Sequence, residues 1–299
     1  MRIRFAAPVA IAALTVLALS GCVDNSSPTS ASSAPALSVQ KDDSLAAMLP
    51  DDIKSSGKLG VASNNTYPPN EFKDDNGNPV GWDIELANAI AAKLGLKVTW
   101  FLSDNFDAIL PRVTGGQSDI GVSSFTDTVQ REQQVDFVNY YNAGVLWAAP
   151  SGKTVDPNNA CGLKVAVQTG SYEDTDEVAA KSTACTSAGK APIQKMQFDS
   201  QDSATNAVLL GQADAMSADS PVTLYAISQS KGKLVEAGST FDVAPYGIAL
   251  AKGSALTPVI QKTVQALIDD GTYKKILDKW GVTDGGVTTV QINAASQAG

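Results

Sequence analysis

From about Leu45 onward, short strand-like runs alternate with runs whose apolar residues recur at helical spacing. Lys58–Ala62 reads as a strand, and Ile84–Leu94 as a helix with Ile84, Ala87, Ile90, Ala91 and Leu94 on one face. Gly95 closes that helix, and Lys97–Phe101 is the next strand. Phe106–Val113 (helix) and Asp119–Val122 (strand) follow, and the rhythm resumes at Lys164–Val167 (strand), Tyr172–Ala180 and Ser203–Leu210 (helices). Asp214–Met216 (strand), Pro221–Gln229 (helix) and Tyr246–Ala251 (strand) continue it, before two closing helices, Pro258–Ile268 and Tyr273–Trp280. Such alternation predicts an α/β protein with parallel strands. About 240 residues of it exceed one ordinary sheet and predict two lobes.

Composition narrows the function classes. The chain of 299 residues has a net charge of −9, without the positive footprint a nucleic-acid binder needs. It contains 0 histidines, which excludes Ser-His and Cys-His mechanisms and removes the commonest general base and metal ligand. No cofactor is expected, and no metal site, because two thiols without histidine make a poor zinc centre.

The first residues read as an export signal. Arg2 and Arg4 precede Phe5–Leu19, an apolar run too short for a membrane span of about 20 residues. Leu19-Ser20-Gly21-Cys22 resembles the lipobox of bacterial lipoproteins, which implies a signal peptide over 1–21 and a lipid on Cys22; a plain secretory signal with a chance cysteine is the alternative. A Ser/Ala/Pro-rich stretch completes a flexible tether over 22–44, spanning roughly 25 Å as a coil. With Cys22 lipidated, Cys161 and Cys185 are left to pair in an oxidising compartment. The protein is thus expected to be exported and held by lipid at the outer face of the cell membrane, or on its periplasmic side.

Candidate chemistry concentrates in Asp119–Phe137, where Ser123, Ser124, Thr126 and Thr128 precede Arg131. An arginine fork matches a carboxylate with two hydrogen bonds, and short hydroxyls add direction without filling the space a ligand needs. A solvated arginine at a helix start fits the same residues. Ligands in α/β sheets sit at the carboxyl ends of strands. Gln168-Thr169-Gly170-Ser171 follows a strand and opens a helix, where free backbone N–H groups accept an anion. Asp219 follows Asp214–Met216 in the same way, although Asp219-Ser220-Pro221 also fits a simple helix start.

Tyr67-Pro68-Pro69-Asn70-Glu71-Phe72, Gly81-Trp82-Asp83-Ile84-Glu85-Leu86 and Asn105-Phe106-Asp107-Ala108-Ile109-Leu110-Pro111 occur in that order. Thr128-Val129-Gln130-Arg131, Val135-Asp136-Phe137, Asp270-Gly271-Thr272-Tyr273 and Lys279-Trp280-Gly281 complete the series. Together they resemble the amino-acid-type (family 3) extracellular solute-binding proteins of bacterial ABC importers. The resemblance implies a two-lobed periplasmic-binding-protein-like fold (type II) with two crossing hinge strands. Lobe one would hold 45–143 and 246–290, lobe two 144–245, and 291–299 would be a C-terminal tail. It implies that Arg131 takes a ligand carboxylate with Ser123, Ser124 and Thr126, assisted by the Ser171–Tyr172 backbone. Asp219 would take the α-ammonium, and Tyr67 and Phe106 would sandwich the side chain. Glu71 and Asp83 are read as structural.

The implied partners are a polar L-amino acid and permease subunits with a cytoplasmic ATPase, the binding protein itself being a monomer. Asn64 stands where family members selecting basic ligands carry an acid, which leans the ligand towards glutamine or glutamate. Glu173, if it faces the ligand, would disfavour acidic side chains. The rival functions are a dehydratase of the cyclohexadienyl type, for which Glu173 is the one loose acid–base candidate, and a sensor lipoprotein.

Overall fold

The computed structural model describes residues 38–297. The signal segment 1–21, Cys22 and the tether up to residue 37 lie outside the described residues. Among the described residues no helix is long and apolar enough to cross a membrane.

Among the described residues eleven strands form two sheets: β1 (Lys58–Asn64), β2 (Thr66–Tyr67), β3 (Glu71–Lys73), β4 (Pro79–Val80), β5 (Lys97–Ser103), β6 (Ile120–Thr126), β7 (Val135–Pro150), β8 (Lys164–Gln168), β9 (Gln194–Phe198), β10 (Ala215–Asp219) and β11 (Leu234–Ala251). The large sheet runs β5-β1-β6-β11-β7-β10-β8-β9, and β2-β3-β4 form a small one. Pairing is parallel within β5-β1-β6 and within β10-β8-β9. Between these halves lie two long antiparallel strands, β7 and β11. Their ladder loses register between Ala237 and Phe241 and again between Phe241 and Ala244, where the chains pass from one half to the other. The result is a two-lobed α/β fold with a pair of crossing strands.

Separate apolar cores fill the two halves. One joins Leu59, Val61, Ile90, Leu94 and Ile260 around the helices Trp82–Leu94 and Thr257–Asp269. Two others, built on Val165 and Val167 and on Ala166 and Met216, flank β8 and β10. Gly95 ends the helix Trp82–Leu94 in the left-handed region, as its position predicts. Gly81 precedes that helix at φ 129°, and a Cβ there would collide with the Asn70 carbonyl. This close approach lets Asp83 N–H donate to Asn70 O at 3.0 Å, bringing β3 against the helix start.

Cys161 and Cys185 form a disulfide, with Cα atoms 5.5 Å apart, tying the approach to β8 to the helix Val178–Ser187. The structure also differs from the sequence reading at several edges. The tether ends earlier than residue 44, because Asp42 donates its N–H to Lys93 O and caps the helix Asp43–Ala47. The segment read as a tail continues the fold: Asn139 N–H donates to Gln291 O, and Asn293 N–H to Phe137 O. The strand expected to stop at Val122 runs on to Thr126, so the serines lie within it. Tyr172–Ala180 is not one regular helix, since Glu173–Glu177 winds as a π turn before the α-helix begins.

Candidate functional site

The carboxyl ends of β6, β8 and β10 face one another, and one small cavity of about 10 Å³ lies among them. That is about the room one water molecule needs, and direct hydrogen bonds already bridge the facing walls. Its wall includes Tyr67 of β2, Phe106, and Ser123, Ser124 and Thr126 of β6, with Arg131 just beyond. From the other half come Gln168, Ser171, Tyr172 and Asp219. A larger, more open groove lies elsewhere, beside Leu224, Tyr225 and Trp280, but Asp284 is the one charged side chain in its wall.

Arg131 is held in the short helix Val129–Glu132, which Thr128 caps through its hydroxyl. Its Nη1 donates to Thr126 O at 2.8 Å and its Nη2 to Gly170 O at 3.0 Å, the second bond crossing between the halves. Among the described residues nothing else accepts from the guanidinium, so Nε–H and one N–H on each terminal nitrogen have no partner there. Burial lowers its pKa, and Asp176, Glu173, Asp219 and Asp107 act against that; the group stays charged. Phe106 lies beneath it, with the guanidinium carbon 5.9 Å from the ring centroid.

Asp219 sits at the N-cap of the helix Ser220–Gln229, with Pro221 in the first turn, but its carboxylate makes no capping bond. Its Oδ2 instead accepts from Tyr67 Oη at 2.7 Å, across the cavity. Burial raises its pKa to about 6, while the Tyr67 hydrogen bond and Arg131 hold it down. A plain helix start would spend this side chain on its own backbone. Here it is turned towards the opposite wall.

Gln168 was read from sequence only for its place at the head of the Gln168–Ser171 loop, yet its side chain forms part of the wall and its Nε2 donates to Thr66 Oγ1 (3.3 Å) across the cleft. Its signal was its place as the last residue of a strand facing the cleft. The N–H groups expected to be free after β8 are not free. Thr169 N–H donates to Phe198 O at the end of β9, Gly170 N–H to the carboxylate of Asp174 and Ser171 N–H to Gln168 O across a turn.

The two candidate specificity residues lie outside the cavity wall. Asn64 is buried, with Oδ1 accepting from Thr66 N–H and Oγ1 and Nδ2 donating to Ser103 O, so its amide is consumed in the β1–β2 turn. Glu173 opens the π turn, is 1% exposed, and its Oε1 has no partner among the described residues. Burial, then the charge of Asp219, pushes its carboxyl well above the usual range. π turns are frequent at functional sites.

A family profile, "Bacterial extracellular solute-binding proteins, family 3", matches residues 59–283. The arginine-binding protein ArgT of Corynebacterium glutamicum is 39% identical over 251 residues, covering 83% of this chain and 82% of that protein. Among solved structures, an ancestral arginine-binding protein bound to arginine is 36% identical, with a TM-score of 0.69 over 75% of this chain and 98% of that one. An ancestral arginine-binding protein bound to glutamine is 38% identical, with a TM-score of 0.68 over 76% of this chain and 98% of that one.

Proposed function

Because the chain belongs to the bacterial extracellular solute-binding proteins of family 3, we propose that it is the capture component of an ABC importer for an L-amino acid with a cationic side chain. Lobe one, 45–143 and 246–290, docks the α-carboxylate on Arg131 with the β6 hydroxyls. Lobe two, 144–245, then closes and brings Asp219 to the α-ammonium, a hinge closure driven by tighter binding to the closed arrangement. Tyr67 and Phe106 enclose the side chain. A permease with its ATPase reads the closed form, and a lipid on Cys22 keeps the protein beside it. The work is capture, not turnover.

The observation that carries this reading is opposed charge across one small cavity, Arg131 on one wall and Asp219 on the other, with hydroxyls and aromatic rings between them. That matches the two ends of a zwitterion. The cationic side chain is inferred from Glu173, a buried carboxyl beside Asp219 with one oxygen unpartnered among the described residues. A ligand guanidinium or ammonium that reaches this oxygen supplies the donor it lacks. Asn64, on which a glutamine or glutamate preference rested, is spent in its own turn and carries no such information. The arginine-binding relatives point the same way.

Calorimetry with L-arginine, L-lysine, L-glutamine and L-glutamate tests this. L-Arginine should bind tightest, and Arg131→Ala should weaken it at least about 100-fold while the far-UV spectrum is unchanged. Equal affinity in the variant would overturn the assignment.

A further inference from the structure

Behind the β6 serines lie two carboxyl groups that the capture reading does not use. Glu71 of β3 and Asp83 of the helix Trp82–Leu94 are both 0% exposed. No lysine or arginine among the described residues forms an ion pair with either. Two adjacent buried carboxylates without a cation cannot both stay ionised at moderate cost.

The hydrogen bonds say which one keeps the proton. Asp83 Oδ2 accepts from Ser124 N–H (2.8 Å) and Ser124 Oγ (2.9 Å), and Asp83 Oδ1 accepts from Tyr140 Oη (2.7 Å). Three donors suit an ionised carboxylate. Glu71 Oε1 accepts from Ser123 Oγ at 2.9 Å. Glu71 Oε2 lies 3.4 Å from Ser124 Oγ, whose one proton already goes to Asp83, so Oε2 has no proton directed at it. Oε2 therefore carries its own. The pKa directions agree: burial and then Asp83 push Glu71 well above the usual range, and burial raises Asp83 to about 6 against its donors.

Both serines in the cavity wall hang on this pair. Ser123 Oγ also accepts from Asn64 N–H (3.0 Å), and Ser124 Oγ from Asn70 Nδ2 (2.8 Å). Ser124 sits at φ 49°, a left-handed conformation that a serine leaves unless its surroundings hold it. Asp83 grips both its N–H and its hydroxyl.

We infer that Glu71 and Asp83 are positioning residues for ligand capture: as a pair sharing one proton, they fix Ser123 and Ser124 in the orientation that the cavity needs. The other groups facing the pair are Tyr140 of β7, Tyr273, whose hydroxyl donates to Tyr140 O, and the charge of Asp219 across the cavity. None is cationic. Loss of the shared proton at alkaline pH places a second negative charge behind the serines and loosens them.

The role in capture rests on the amino-acid reading of the cavity, so the test has one arm with ligand and one without. With L-arginine as probe, Glu71→Ala should weaken binding about tenfold or more, and Glu71→Gln should recover most of that loss. As pH rises above neutrality the wild type should lose more affinity than Glu71→Gln, whose loss is only that of the ligand's own ammonium. Wild-type affinity in Glu71→Ala, or an unchanged alkaline loss in Glu71→Gln, would overturn the inference. Without ligand, the infrared carbonyl band of a protonated carboxyl should be present at neutral pH and diminished in Glu71→Gln, and a crystal structure of Glu71→Ala should find Ser124 out of the left-handed region. An undiminished band or an unmoved Ser124 overturns the pair. Failure of the wild type to bind any amino acid would instead overturn the capture reading, while the ligand-free arm still decides the pair.

Discussion

Glu173 and Asp219 are neighbouring acids with different environments. The charge of Arg131 reaches both, but Asp219 has a donor in Tyr67, whereas one oxygen of Glu173 has no hydrogen-bond partner among the described residues. On the proposed reading, Asp219 serves the part common to all amino acids and Glu173 the part that distinguishes them. Glu173→Gln should therefore weaken L-arginine by about tenfold or more and leave L-glutamine unchanged or improved, as measured by calorimetry with each. Equal losses for both ligands would mean that Glu173 supports the fold and not the choice of side chain. Sequence identified Glu173 but not its direction, because a π turn breaks the helical spacing from which orientation is read. Position alone likewise cannot reveal that a neighbouring threonine takes the Asn64 amide oxygen.

Among the elements, the helix Val178–Ser187 is the one fastened covalently, through Cys185, to the loop before β8. Removing that link as Cys161→Ser with Cys185→Ser should lower unfolding stability by about 2–4 kcal/mol in a denaturant titration, with L-arginine affinity little changed because neither cysteine is in the cavity wall. An unaltered midpoint would show the closed loop to be without stabilising effect. Helices of this fold were largely legible from spacing, and so were the short parallel strands β1, β5 and β8, whose apolar runs sit between clear turn signals. β7 escaped because 16 residues buried on both faces show no alternation, and β11 was seen only over its last residues for want of a pattern at its exposed start. β9 reads Gln-Lys-Met-Gln-Phe, a largely polar edge strand with little to mark it. β2, β3 and β4, of two or three residues each, fall below any periodicity.

For the molecule as a whole, the balance of raised and lowered carboxyls sets how stability responds to pH. Burial lifts Asp83, Asp127 and Asp219 to about 6 and Glu177 to about 7. In that interval the folded protein holds protons the unfolded chain has released, so stability falls as pH rises from about 4 through 7. Asp136, Asp174 and Asp270 are partly buried too, yet hydrogen bonds and the lysines beside them lower their pKa, and their contribution is lost only as pH falls below about 4. The thermal midpoint should thus be higher at about pH 5 than at about pH 8, and the opposite order by scanning calorimetry would contradict this balance. The bond from Tyr67 to Asp219 has a consequence on the same scale. A ligand ammonium that takes Asp219 exchanges one partner for another, so only the difference between the two bonds counts towards affinity. On the proposed reading, the tyrosine takes the place of the departing ligand and leaves no bare charge behind. A molecule that must surrender what it catches is helped by a grip whose release is already compensated.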